Sequence, residues 1–121
     1  MYEEYIQTIQ EFTEEIERKL DKNSELAIYG AGRRARDIYK YLTQKGYCPN
    51  CFVVSNGDGD LKEIEKVPII TLGELQNAQE YLFVLGAIYP ETREEMKLYL
   101  QSNGCNNILD IDCVILNNLS N

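Results

Sequence analysis

A short apolar run that breaks into two glycines is the feature that most constrains the fold of this chain. Residues 26–29 form the run, and Gly30, Ala31 and Gly32 follow it before the sequence becomes compatible with a helix. Gly30 permits a tight strand-to-helix turn, and small Ala35 lets the helix pack closely on the strand. The N–H groups that open such a helix lack intrahelical partners and attract anions. The pattern is typical of the first strand, phosphate-binding turn and first helix of a nucleotide-binding α/β unit.

Length and composition limit the classes of protein in which such a unit can occur. The 121 residues fit one domain and are too few for a complete dinucleotide-binding domain plus a separate catalytic domain. The chain has the composition of a soluble globular protein, and no apolar run approaches the roughly 20 residues that span a bilayer. Residues 1–4 are acidic where a signal peptide is basic. We therefore expect a cytoplasmic protein without membrane insertion.

The net charge and the cysteine pattern argue against nucleic-acid binding and against a zinc site. A formal charge of −8 disfavours nucleic-acid binding, since Lys and Arg supply most of that affinity. The chain has no histidine, and Cys105 and Cys113 do not form a second close pair beside Cys48 and Cys51. We therefore expect no zinc site. Because Cys51 opens a strand-like run rather than a helix, we expect reduced cysteines, with Cys51 near the core.

An amphipathic helix is predicted before the first strand. Over residues 1–20, apolar side chains recur at steps of three and four. We divide the chain into this helix, residues 1–22, and an α/β domain, residues 23–121. The apolar stripe has three alternative partners: its own domain, a second copy in a homodimer, or a partner domain.

The rest of the chain alternates strand and helix signals. This alternation predicts an α/β fold of three layers, with a five-stranded parallel sheet in the order 3-2-1-4-5. Pro68 marks the third strand as an edge strand. The predicted strands are 25–29, 51–55, 67–70, 81–87 and 107–111. The predicted helices are 33–44, 91–101 and a short helix capped by Thr71 that contains Leu72 and Leu75. Residues 56–60 are predicted to form a mobile loop. On helix 33–44 the side chains predicted to face the sheet are Ala35, Ile38, Tyr39 and Leu42.

A ligand crevice is expected where the strand order reverses, beyond the carboxyl ends of the first and fourth strands. Three stretches should converge there. They are Gly30-Ala31-Gly32-Arg33-Arg34, Ser55-Asn56-Gly57-Asp58 and Gly86-Ala87-Ile88-Tyr89-Pro90. Tyr89 is a candidate acid or stacking surface, with simple packing as the alternative reading.

The ligand suggested by these stretches is a phosphorylated small molecule. NAD binding calls for an acid about 20 residues past the glycines, but Ser55 and Asn56 stand there, and the nearest acid is Asp58. Arg33 and Arg34 favour a phosphate through charge-assisted hydrogen bonds. A nucleotide-sugar is therefore an alternative to NAD(P). Without a histidine, a G-x-S-x-G motif or a P-loop lysine, the chain is not expected to be catalytic alone.

Four segments together carry a family resemblance: 28–32, 51–55, 67–70 and 83–87. The chain resembles, over about residues 25–112, the small Rossmann-like domains of bacterial surface-polysaccharide proteins. Such domains stand at the N-terminus of sugar O-acyltransferases of the PglD and NeuD kind, and beside glycosyltransferases and FkbM-type methyltransferases.

The resemblance implies a role for particular residues. In those acyltransferases the domain holds a UDP-sugar, with the phosphates at the glycine turn, here Gly30 and Gly32, and a later turn, here Gly86 and Ala87. The acid that lies near the base is replaced here by Ser55 or Asn56. The β-helix that transfers acetyl groups has no counterpart in this sequence. The resemblance thus implies a nucleotide or nucleotide-sugar binding module. The alternatives are an NAD(P)-binding domain that acts with a partner and a ligand-free assembly module.

Overall fold

The structure is a computed structural model that describes residues 14–15, 17–21, 25–55 and 61–110. The predicted loop 56–60, most of the predicted N-terminal helix and the C-terminal tail lie outside these ranges. Residues 14–15 and 17–21 are helical, and the other elements follow in chain order. They are β1 (Leu26–Tyr29), α1 (Arg33–Gln44), β2 (Cys51–Val54), β3 (Glu63–Ile64), β4 (Val67–Thr71), two 3-10 helices (Leu72–Glu74 and Ala78–Glu80), β5 (Leu82–Leu85), α2 (Pro90–Ser102) and β6 (Ile108–Leu109).

The strands form one mostly parallel, mixed sheet of six strands in the order β3-β4-β2-β1-β5-β6. The predicted strand count is therefore wrong, and the full strand order differs from 3-2-1-4-5 because β3 adds a sixth strand beyond β4. The additional strand, β3, pairs antiparallel with β4, so β4 is not the edge strand that Pro68 suggested. The five parallel strands lie side by side as β4-β2-β1-β5-β6.

The turn between β3 and β4 explains why this hairpin was missed. Glu65 and Lys66 both have left-handed backbones, with φ of 51° and 68°. Two-residue hairpin turns of this kind usually contain Asn-Gly or Asp-Gly, because those residues adopt positive φ at little cost. Glu-Lys gives no such signal. β3 itself is only two residues long.

Two apolar clusters cover the two faces of the sheet, which confirms the three-layer α/β arrangement. Alternate residues of a strand point to opposite faces, so Leu26 and Ile28 join one cluster while Ala27 and Tyr29 join the other. The first cluster contains the buried side of α1, and the second contains Leu100 of α2. All four residues of β1 and of β5 are buried, as expected for parallel strands covered on both faces.

Helix α1 has the predicted bounds, and the residues predicted to face the sheet do so. Ala35, Ile38 and Leu42 are fully buried, and half-buried Tyr39 packs its ring on Phe52 of β2. Tyr41 takes the fourth buried position, with 2% of its surface exposed.

The described N-terminal helical residues pack on the same side of the domain. Leu20 belongs to the same apolar cluster as Tyr41. In addition, the Lys19 ammonium donates to the Ile108 carbonyl at 3.2 Å, and the Tyr47 hydroxyl donates to the Asp21 carboxylate at 2.8 Å. Residues 17–21 therefore pack on their own domain and widen the covered surface of α1.

Several other boundaries differ from the predicted ones. β5 ends at Leu85 because Gly86 begins a turn, and β6 is limited to Ile108–Leu109 within the described residues. The short helix after Thr71 is a 3-10 helix that ends at Glu74, so Leu75 lies outside it. Cys51 is buried, as predicted.

Candidate functional site

The carboxyl ends of β1 and β5 meet at a tight contact between two glycines. Gly30 has a φ of +118°, and a Cβ on it would lie 3.1 Å from the Gly86 carbonyl oxygen. A Cβ on Gly86 would lie 2.8 Å from the Tyr29 carbonyl oxygen and 3.0 Å from the Ala35 Cβ. The Gly86 N–H donates to the Tyr29 carbonyl at 2.8 Å. The chain's own packing therefore requires small residues at positions 30, 35 and 86.

Gly32 is a glycine of a different kind. It is the N-cap of α1, and its φ of −88° is one that any residue adopts. A Cβ placed on it would meet no atom of the described residues within 4 Å. No side chain caps the helix start, and the first turn of α1 contains no acid. Nothing in the described packing explains a glycine here, and the positive end of α1 opens beside it.

The two arginines after Gly32 have different surroundings. Arg33 is exposed. The Arg34 side chain is 13% exposed, and its guanidinium lies 4.0 Å from the Asp37 carboxylate one turn further along α1. Ala31, between the glycines, is half-buried and packs on the apolar cluster beneath α1. Arg33 is therefore the more accessible cation beside the glycine turn.

Ser55 lies next to this region, directly after β2. Its hydroxyl shares a hydrogen bond of 2.5 Å with the hydroxyl of Tyr29, the last residue of β1. The Tyr29 ring packs edge-on against Tyr99 of α2, with 6.3 Å between ring centroids. Burial raises the pKa of Tyr29 more than the Ser55 hydrogen bond lowers it, so Tyr29 is protonated at neutral pH. Asn56 lies outside the described residues.

The third predicted stretch, after β5, is held by a residue that sequence reasoning missed. The Arg93 guanidinium donates to the carbonyls of Ala87 at 3.3 Å and Ile88 at 2.8 Å, and its Nε lies 2.7 Å from the Asp110 carboxylate. Arg93 is only 7% exposed. The available signal was an arginine one turn into α2 and an acid directly after the last strand. Tyr89, by contrast, is 68% exposed at the N-cap of α2, so its ring is not core packing.

Two of the three predicted stretches thus meet directly. The glycine turn contacts the Gly86 turn, and Ser55 joins them through Tyr29. Beyond Ser55, the second stretch falls outside the described residues.

A polar groove lies on the outer side of α1, away from the glycine contact. It encloses about 590 Å³ between α1 and the turn that joins β3 to β4. Of the predicted site residues that the structure describes, only Arg33 lines it. The lining residues are Arg33, Arg36, Asp37, Tyr39, Lys40, Thr43, Ile64 and Glu65.

A search with models of known protein families finds no match to this chain, and a search of curated proteins finds none either. Within the described ranges, no helix has the length and apolar character needed to cross a bilayer. Over the same residues, no group of three or more Cys, Asp or Glu side chains is arranged to hold a metal ion.

Proposed function

We propose that this chain is a Rossmann-like binding module for a phosphorylated nucleotide, above all a nucleotide-sugar, with the phosphate at the start of α1. The observation that carries the proposal is Gly32. It is an exposed glycine with ordinary backbone angles, at a helix start without a side-chain cap, and no atom of the described residues lies within 4 Å of the place of its Cβ. A phosphate that approaches the backbone there explains why a side chain is absent.

The electrostatics of the helix start support an anion. The first N–H groups of α1 have no side-chain cap, and the helix dipole places partial positive charge at this end. Exposed Arg33 adds a full positive charge beside Gly32. A diphosphate accepts hydrogen bonds from both kinds of donor.

The position in the sheet supports a nucleotide. Gly32 follows β1, whose neighbours are β2 on one side and β5 on the other. In open parallel sheets, ligands bind beyond the carboxyl ends of the strands at such a reversal of connection. Ser55, after β2, offers a hydroxyl where dinucleotide-binding domains carry an acid. With no histidine in the chain, we assign it binding and leave chemistry to a partner or neighbouring domain, as in the sugar-modifying proteins that the sequence resembles.

The proposal is tested by thermal unfolding of the full chain with UDP-sugars, CDP, NAD, NADP and CoA. A ligand at a hundred times its dissociation constant adds about 2.7 kcal/mol of stability. We expect the largest shift with a UDP-sugar. Gly32→Asp should abolish that shift by placing a carboxylate against the phosphate. Because Asp is a favoured N-cap residue, the variant should keep its fold, and the loss will report binding alone.

The matched control is Gly73→Asp, which adds the same charge at another glycine with open space around it. It should leave the ligand shift unchanged. No shift with any of the five ligand classes, or an unchanged shift in Gly32→Asp, would overturn the proposal.

A further inference from the structure

We propose that the polar groove between α1 and the β3–β4 turn is a second anion site, which takes a small molecule with two or more phosphate or carboxylate groups. The inference goes beyond the proposed function because it depends on Arg36 and Lys40, one and two turns along α1 from Gly32. The two sites share only Arg33, which stands between them.

The distribution of charge is the first support. The chain has a net charge of −8, yet α1 contains four basic residues and a single acid. Arg33, Arg36 and Lys40 follow one another at steps of three and four, so they share one face of the helix. All three line the groove. Like charges on successive turns destabilise a helix, and a bound anion removes that repulsion.

The second support is that the described residues provide no ion-pair partner for these three cations. Within the described part of the chain, none of the ion pairs or side-chain hydrogen bonds involves the charged groups of Arg33, Arg36 or Lys40. Asp37, the acid of α1, lies 4.0 Å from Arg34 and also lines the groove, as does Glu65. Within the described residues the three cations outnumber these two carboxylates and form an ion pair with neither, so the lining attracts an anion from solution.

The size and lining of the groove narrow the class of ligand. Its volume of about 590 Å³ falls within the range of small-molecule sites, about 300–1,000 Å³. The lining also has an apolar part, which consists of buried Ile64 and half-buried Tyr39. The Tyr39 ring packs on Phe52 with 5.7 Å between ring centroids. The helical rise spaces the cations by about 4.5 and 6 Å along the axis. A molecule with several linked anionic groups, such as a short polyphosphate or a tricarboxylate, can contact more than one of these cations at once.

Glu65 supplies an internal test. It lines the groove from the hairpin turn and is exposed. Its carboxylate opposes an incoming anion, so removal of that charge should strengthen binding, whereas removal of the α1 cations should weaken it. A groove that is only a solvated surface would show neither effect.

The experiment is calorimetric titration of the full chain with inorganic tripolyphosphate at low and moderate salt. We expect binding that weakens as salt is added, because the charges are exposed. Arg36→Gln/Lys40→Gln should weaken it by at least about tenfold, which corresponds to about 1.4 kcal/mol. Glu65→Gln should tighten it. Lys62→Gln/Lys97→Gln removes the same charge from residues that do not line the groove and should change the affinity by less than about twofold.

Three results would overturn the inference. They are an absence of tripolyphosphate binding, an equal loss in the two double variants, and a loss in Gly32→Asp that Arg36→Gln/Lys40→Gln does not share. The third result places the anion at the helix start and leaves the proposed function standing. Conversely, retained tripolyphosphate binding together with no response to nucleotides supports the groove while it refutes the nucleotide site.

Discussion

The two ends of the glycine turn differ in how fully the chain fills the space around them. At the inner end, Gly30 and Gly86 touch and Ala35 lies against Gly86, so an added methyl group would collide with backbone at Gly86 and be crowded at Gly30. At the outer end, Gly32 is exposed and a Cβ on it would meet no described atom within 4 Å, and the neighbouring face of α1 carries basic residues beside a groove. The inner end is closed by packing, while the outer end is open and positively charged.

This difference shows that the glycines of one motif are required for two different physical reasons. A close approach of two strands and a helix accounts for the inner glycines without any ligand. Gly32 has no such explanation, so it is the position at which a ligand hypothesis is informative. Variants that separate the closed end from the open end test this distinction most directly.

Gly86→Ala is expected to give the largest effect. Its Cβ would lie 2.8 Å from the Tyr29 carbonyl oxygen and 3.0 Å from the Ala35 Cβ. Overpacking of this kind costs about 1–3 kcal/mol, and contact with backbone favours the upper end. Urea denaturation measures the change. Gly32→Ser is the control and should stay within about 0.5 kcal/mol of the parent or exceed it, because Ser is a favoured N-cap residue. Similar losses in both variants would remove the distinction between the two ends.

Arg93→Met comes next. It keeps most of the side-chain volume but leaves the Ala87 and Ile88 carbonyls and the Asp110 carboxylate without the guanidinium. Charge-assisted hydrogen bonds of this kind contribute about 1.5–3 kcal/mol, and we expect a loss of about 2 kcal/mol. Asp110→Asn should cost less, because that carboxylate is 46% exposed and water screens it. An equal or larger loss in Asp110→Asn would assign the effect to the ion pair rather than to the carbonyls.

Tyr29→Phe should have a smaller effect. It removes the hydrogen bond to Ser55 but keeps the ring that packs on Tyr99. A hydrogen bond contributes about 1 kcal/mol, and the same loss is expected in Ser55→Ala. The double variant should lose little more than either single one, which a double-mutant cycle in urea will measure. Additive losses would mean that the two hydroxyls do not stabilise one another.

Cys48 and Cys51 show the same contrast between an exposed and a buried position. The titration of the Cys51 thiol is not expected to change the stability of the protein at neutral pH. Cys48 is exposed, whereas Cys51 is buried, and burial raises the pKa of its thiol to about 11 from 9. Because the folded pKa is the higher one, this stabilising contribution is complete below pH 9 and is lost as pH rises from 9 to about 11.

The measurement combines denaturation with alkylation. Urea denaturation at pH 8 and pH 10.5 should show the alkaline loss, and Cys51→Ala should show less of it. Iodoacetamide at pH 8 should modify Cys48 in the folded protein and leave Cys51 protected, as peptide mapping will show. Comparable modification of both thiols would contradict the burial of Cys51.

Local patterns were sufficient for much of the fold. The apolar run, the glycines and the apolar spacing gave β1 and both ends of α1, and Cys51 was placed in the core. Tyr39 packs on the sheet as predicted, but Tyr41 was missed as a core residue, because the apolar cluster to which it belongs includes Leu20 from another helix, which α1 considered by itself does not reveal. The β3–β4 hairpin was missed because Glu65 and Lys66 adopt a turn that their side chains do not favour.

The candidate site divides in the same way. Sequence reasoning brought the Gly30 and Gly86 turns together, since parallel strands end at a common edge. It missed Arg93 and the groove, because each depends on residues far apart in the chain. Arg93 reaches Asp110 beyond β6, and α1 faces Glu65 across the hairpin.

By itself, the sequence determined the α/β class, the first strand and helix, and the glycines at the end of β1, because periodicity and glycine stereochemistry act over neighbouring residues. Only the tertiary structure decided which glycine the packing explains and which faces solvent. It also decided which basic residues of α1 line a groove. These properties depend on the distance between segments that the chain brings together only when it folds.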